Sequence, residues 1–154
     1  MTARPVIVLV VGLEASGKSR LGDELCGGRP AWRRYSDFLT ERYNRPLRES
    51  EKFGPFADWI GRGHNAVLDE VSWCDPQRRE EAERELSVIA PAHRLEVIFF
   101  ENDPAACVAN AHRRRHGDPD GLRHDLTWIA ARTKSYVIPD PLPPHALVRP
   151  VWRP

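Results

Sequence analysis

Gly12-Leu13-Glu14-Ala15-Ser16-Gly17-Lys18-Ser19 is a complete G-x-x-x-x-G-K-[ST] pattern, and its residue types suit one chemistry. Glycines at the first and sixth positions let the backbone turn tightly, so that successive amide N–H groups converge on an anion. Lys18 adds a positive charge for the outer phosphates of a nucleotide, and the Ser19 hydroxyl suits a Mg²⁺ ligand. The nucleotide-binding stretch is expected to run through Gly12, Leu13, Glu14, Ala15, Ser16, Gly17, Lys18, Ser19 and Arg20. Asp69 ends an apolar run and suits the Mg²⁺ shell, directly or through water. The alternative for that acid is a turn or capping role, and Glu70 beside it reads as a neighbour.

Two further groups complete a candidate transfer site. Asp37 can accept a hydroxyl proton as that oxygen attacks a phosphate, or it can cap the helix that follows. Arg113, Arg114 and Arg115 sit late in a predicted helix, where one guanidinium can close over the negative charge of a transferring phosphoryl group. A basic helix end complementing the helix dipole is the alternative. Arg123 and Arg132, on the next predicted helix, can share the task.

The surrounding elements must bring these groups together. Pro5 to Val11 is a β-branched apolar run that reads as a buried strand, and Arg20 to Leu25 carries Leu21 and Leu25 on one helical face. Gly27-Gly28-Arg29-Pro30 stops that helix. Trp32 to Ser36 reads as a second strand, 65–70 as a third and 95–100 as a fourth, with 146–148 as a last short one. Helical pieces are expected over 38–48, 53–61, 76–90, 104–116 and 122–134, with Asp75 and Pro76 suited to open the third of these. Gly117 to Gly121 reads as a turn able to hinge a lid. Strands alternating with helices predict an α/β fold, a parallel sheet covered on both faces. Ligands in such sheets bind at the carboxyl ends of the strands, where Gly12, Asp37 and Asp69 would meet.

Composition sets the outer limits. The 154 residues fit a single domain over 1–154, and the net charge of +1 gives no global pull toward nucleic acid or membrane. No run is long enough to span a bilayer, and the N-terminus lacks the architecture of a signal peptide. Cys26, Cys74 and Cys107 are widely spaced, which suits reduced thiols and a cytoplasmic protein rather than a disulfide framework or zinc site. His112 and His116 lie four apart on a predicted helix, but nothing completes a metal set. Arg33, Arg34, Arg42, Arg45 and Arg48, interleaved with Trp32, Tyr35, Tyr43 and Trp59, suit either a nucleic-acid contact or a core with arginines at its surface.

Taken together, these residues resemble the small P-loop kinases related to the kinase domain of polynucleotide kinase. Four stretches carry the resemblance: Gly12 to Ser19; Ser36-Asp37; Val67 to Arg79; and Phe99 to Pro104 followed by Cys107, Asn110 and Arg113. They cover residues from about 5 to 115, and only the first is specific by itself. The resemblance implies a P-loop kinase fold with a small helical lid and ATP-dependent phosphorylation of a hydroxyl with Mg²⁺. It implies Lys18 and Ser19 at the triphosphate, Asp37 as base and one of Arg113 to Arg115 in the lid. DNA is the expected partner, with no obligate protein partner evident. The chain departs from the family at Thr40, where an arginine gripping the acceptor phosphate is common, and at Ser72-Trp73-Cys74, where Thr-Asn-Leu is usual. Both departures fall on the acceptor side. Short bacteriophage kinases of this type, which phosphorylate 5-hydroxymethyluracil in DNA, fit them; the compartment would then be the host cytoplasm. A small-molecule or nucleoside kinase and a nucleotide-binding regulatory module are the rival readings. The guanine-specific Asn/Thr-Lys-x-Asp pattern is missing, which argues against a GTPase.

Overall fold

In a computed structural model of the chain, residues 3–36 and 53–154 are described. Asp37, Thr40, Arg42, Tyr43, Arg45 and Arg48, together with the helix expected over 38–48, lie outside the described residues. Five strands form one sheet: β1 (Val6–Val11), β2 (Trp32–Ser36), β3 (Asn65–Asp69), β4 (Arg94–Phe100) and β5 (Ala146–Arg149). All neighbouring pairs are parallel, in the order β2-β3-β1-β4-β5. The helices are α1 (Lys18–Cys26), α2 (Phe53–Gly61), α3 (Pro76–Ile89), α4 (Pro104–Arg114) and α5 (Pro119–Thr133). The expected α/β architecture with a parallel, doubly covered sheet is what the chain forms.

The buried strand β1 divides the core. Ile7, Leu9 and Val11 face a large cluster with Phe56 of α2, Leu86 of α3, Cys107 of α4 and Ile129 of α5. Val6, Val8 and Val10 face the other side, where Leu21 and Leu25 of α1 pack. Alternation along a strand buried on both faces accounts for its unbroken apolar sequence. Because β1 lies between β3 and β4, the chain leaves it in one direction and later crosses to its other side. A crevice forms at such a reversal, outside the carboxyl ends of the strands.

Asp-Pro opens three helices in the same way. Asp75, Asp103 and Asp118 each accept a backbone N–H in the first turn, with proline just inside the helix. The turn expected over Gly117 to Gly121 is shorter, because residues 119–121 already belong to α5. Gly117 takes a positive φ of 79°, Asp118 caps, and α5 begins at Pro119. α4 correspondingly ends at Arg114, short of His116. A cis peptide bond joins Asp140 and Pro141. Among the described residues, no helix is long and apolar enough to cross a membrane.

Candidate active site

Register brings the strand ends level. Asp69 pairs with Val10 of β1 on one side and with Ser36 of β2 on the other. The phosphate loop begins two residues after Val10, and Asp37 follows Ser36 directly in sequence. The strands therefore deliver the loop and Asp69 to one end of the sheet.

The loop has the backbone its pattern calls for. Gly17 adopts a φ of 107° and Ala15 a φ of 59°, so the chain turns through left-handed conformations before α1 begins. Gly17 caps α1 without a side-chain hydrogen bond, which leaves the first-turn N–H groups directed at the loop. Gly12 is required for space: a Cβ there would lie 2.6 Å from Ser16 Oγ and 3.0 Å from Phe100 Cβ. Ser16 Oγ is itself buried with no hydrogen-bond partner.

Lys18 is almost buried, and its Nζ donates to the carbonyls of Gly12 at 2.9 Å and Leu13 at 2.7 Å. Burial holds its pKa below the ordinary lysine value, with the negative charges of Glu14 and Asp69 opposing that shift. Ser19 Oγ lies 3.4 Å from Asp69 Oδ2. Asp69 also has Arg34 Nη1 at 3.8 Å, and Arg34 in turn reaches Asp23 at 3.2 Å. An uncapped helix start, glycine-shaped loop and buried lysine fit a nucleotide's phosphates. A hydroxyl and carboxylate facing each other fit Mg²⁺, an oxygen-seeking ion that keeps several waters. No cluster of three acidic, histidine or cysteine side chains that could hold a metal occurs among the described residues. Glu70 serves the backbone, accepting from Ser72 N at 3.2 Å.

Residues distant in sequence brace this loop. Asn110 of α4 donates to Ala15 O at 2.9 Å and to Trp152 O at 2.7 Å. The backbone N–H of Trp152 donates to Ser16 O at 3.0 Å. Tyr136 OH donates to the carbonyls of Phe100 and, at 3.3 Å, Val11, tying the ends of β4 and β1 together below the loop. Arg20 stacks on Trp152 at 4.6 Å, beside a cleft of about 390 Å³ that α1 shares with the C-terminal segment. None of these partners was expected from sequence. A buried Asn and Tyr carry no local signal of the carbonyl they will meet.

The three adjacent arginines, 113 to 115, separate. Arg113 donates to Asn110 Oδ1, one side chain away from the loop. Arg114 Nε and Arg115 Nε both donate to Asp125 Oδ2, at 3.0 and 2.9 Å, so these two join α4 to α5. Burial would push the Asp125 carboxyl up, but hydrogen bonds from Arg115 and Arg114 outweigh it and hold the pKa below the ordinary value. On the loop side the structure places Arg132 instead: its Nε donates to Glu14 Oε1 at 2.8 Å.

Solved structures share this arrangement of elements. A fungal RNA kinase superposes over 99% of this chain and 77% of its own, at 12% identity and a TM-score of 0.62. The chain has the fold of this structure, a five-stranded parallel sheet between helices. A chain of the Pnkp1/Rnl/Hen1 RNA repair complex matches over 89% of this chain at 11% identity and a TM-score of 0.54. The present chain spans 48% of that chain's length. APE1195 matches at 19% identity and a TM-score of 0.57, over 96% of this chain and 87% of its own. No family model and no curated protein matches the sequence. At these identities the likeness is one of fold.

The described members of the arginine and aromatic set make contacts within the protein. Arg33 stacks on Trp59 at 4.1 Å, Arg29 on Trp32 at 4.5 Å, and Tyr35 meets Phe56 edge to face at 5.3 Å. Burial pushes the Cys74 thiol up to about 12 and the Cys107 thiol up to about 11, which disfavours the thiolate in both.

Proposed function

We propose that the protein is an ATP-dependent kinase that transfers the γ-phosphate to a hydroxyl of a polynucleotide. The observation that carries this reading is the meeting of Lys18, Ser19 and Asp69 at the carboxyl end of the sheet, on a glycine loop with an uncapped helix start. Lys18 and the loop N–H groups would bind the β- and γ-phosphates; Ser19 and Asp69 would hold Mg²⁺, which neutralises phosphate charge when bound. The acceptor oxygen forms its bond to the γ-phosphorus as the bond to the β,γ-bridging oxygen breaks, and ADP leaves. Asp37, one residue beyond the strand end that pairs with Asp69, is proposed to take the hydroxyl proton.

A nucleic-acid acceptor is supported by fold likeness to an RNA kinase and an RNA repair chain, and by the resemblance carried by Ser36-Asp37 and Val67 to Arg79. The altered acceptor positions Thr40 and Ser72-Trp73-Cys74 favour a primary alcohol other than an ordinary 5′ end, such as 5-hydroxymethyluracil in DNA. A base in a duplex would have to be flipped out to react.

Two variants test the assignment. Lys18→Ala should abolish transfer. Asp37→Asn should keep ATP binding, read by calorimetry, while removing transfer. Turnover surviving in the lysine variant contradicts the loop assignment, and normal transfer by the asparagine variant removes Asp37 as the base.

A further inference from the structure

We propose that Glu14 and Arg132 form a catalytic clasp: Arg132 is the guanidinium presented to the transferring phosphoryl group, and Glu14 is the positioning residue that aims it. The assignment rests on the phosphoryl-transfer reading above. Its starting point is that Glu14 belongs to the phosphate loop itself, whereas Arg132 lies in the last turn of α5, and their side chains meet at 2.8 Å. Both are mostly withdrawn from water, with 8% of the Glu14 side chain and 14% of the Arg132 side chain exposed. Charges so placed interact more strongly than at an open surface.

The geometry of the pair argues against a purely structural bridge. Glu14 takes only the Nε of Arg132, and its second oxygen, Oε2, is buried with no hydrogen-bond partner. A saturated structural bridge would use the bidentate fork that arginine offers a carboxylate. Here the two Nη groups donate no hydrogen bond to any described residue, while the guanidinium carbon sits over the Trp128 ring, 4.5 Å from its centroid. The flat face is thus supported and one edge is fixed. The other edge, with its N–H donors, is left for an acceptor. A buried unsatisfied oxygen calls for a reason, and a carboxylate that holds one nitrogen of a guanidinium while leaving the others free supplies one.

The backbone behind Arg132 is also anchored to the sheet end that carries the loop. Tyr136 N donates to Arg132 O at 2.9 Å, and Asn102 Nδ2 donates to Thr133 O at 3.1 Å, so the last turn of α5 is tied to residues just after β4. Arg114 and Arg115 are instead committed to Asp125. Arg132 also lines a cleft of about 210 Å³ with Ser72, Asp75, Arg78 and Trp128, beside the turn that follows Asp69. Arg132 thus lies between Glu14 of the loop and this cleft.

The test is steady-state transfer by the full chain, with kcat and the KM for ATP measured separately and folding followed by thermal melting. Arg132→Ala should lose about 10²- to 10³-fold in kcat, with the KM for ATP changing far less. Added guanidinium ion should restore part of that loss, an outcome a structural role does not produce. Arg132→Lys, which keeps the charge and most of the stem, should remain folded yet lose most of kcat, because an ammonium cannot hold Glu14 and present a second, fixed set of donors. Glu14→Gln should lower kcat about tenfold through the misaimed arginine. Wild-type transfer with Arg132→Ala and Arg132→Lys both within threefold of it overturns the clasp and leaves the kinase reading standing. A wild-type chain that neither binds ATP nor transfers phosphate overturns the kinase reading, and the clasp with it.

Discussion

Ser19, at the start of α1, and Asp69, at the end of β3, face each other across 3.4 Å. The contact exists because Asp69 pairs in register with Val10, so the loop that follows β1 must rise beside it. Ser19→Ala and Asp69→Asn should each lower transfer about 10- to 100-fold, and each should raise the Mg²⁺ concentration needed for half-maximal rate. Magnesium titrations of the two variants check this. A rate loss with an unchanged magnesium requirement would separate the pair from the ion.

Arg114 and Arg115 are expected to matter for the fold of the α4–α5 hairpin. Replacing both by alanine leaves Asp125, 2% exposed, without its cations. An uncompensated buried carboxylate is costly, but these arginines are partly in water, so a loss of about 1–3 kcal/mol is the expectation. Urea denaturation of the double variant measures it. An unchanged midpoint would mean that the hairpin does not depend on this bridge.

The same bridge sets a pH dependence. The Asp125 carboxyl titrates below its ordinary value in the folded chain, so its contribution is present above the ordinary aspartate pKa of about 4 and fades as pH falls through the lowered value. Denaturant midpoints should therefore drop between pH 5 and pH 2, and Asp125→Asn should flatten that part of the profile while lowering stability at pH 7.

Gly22 lets Arg34 cross α1 on its way to Asp69. A Cβ at Gly22 would lie 2.4 Å from Arg34 Cδ, and Arg34 Nη1 reaches Asp69 at 3.8 Å. Gly22→Ala favours the helix but must displace the arginine. A transfer rate reduced severalfold, with a melting temperature near wild type, is the expected outcome. Equal rates for the two proteins would show that Arg34 does not tune Asp69.

Features written in consecutive residues were legible in the sequence. The loop from Gly12 to Ser19, the β-branched strand before it and the parallel α/β arrangement follow from local pattern and spacing. So does the strand ending at Asp69, since an apolar run closing in an acid keeps its meaning when the sheet is parallel. The start of α5 was also readable. Asp118-Pro119 repeats the capping signal of Asp75-Pro76 and Asp103-Pro104, although the glycines at 117 and 121 give the segment the composition of a turn. What no local pattern carried were long-range side-chain choices: Asn110 on Ala15, Tyr136 on Phe100, Trp152 on Ser16 and Arg132 on Glu14. Three adjacent arginines look equivalent in a sequence. Only the packing of α4 against α5 assigns two of them to Asp125, while Arg113 turns to Asn110 on its own helix.

The most direct measurement of the account is transfer of labelled γ-phosphate from ATP to a panel of acceptors: 5′-hydroxyl DNA and RNA, DNA containing 5-hydroxymethyluracil, free nucleosides and small alcohols, each with Lys18→Ala alongside. Label is expected on a polynucleotide, in the modified base or at the 5′ end, and none with the lysine variant. Label confined to free nucleosides or small alcohols, or label on no acceptor at all, would contradict it.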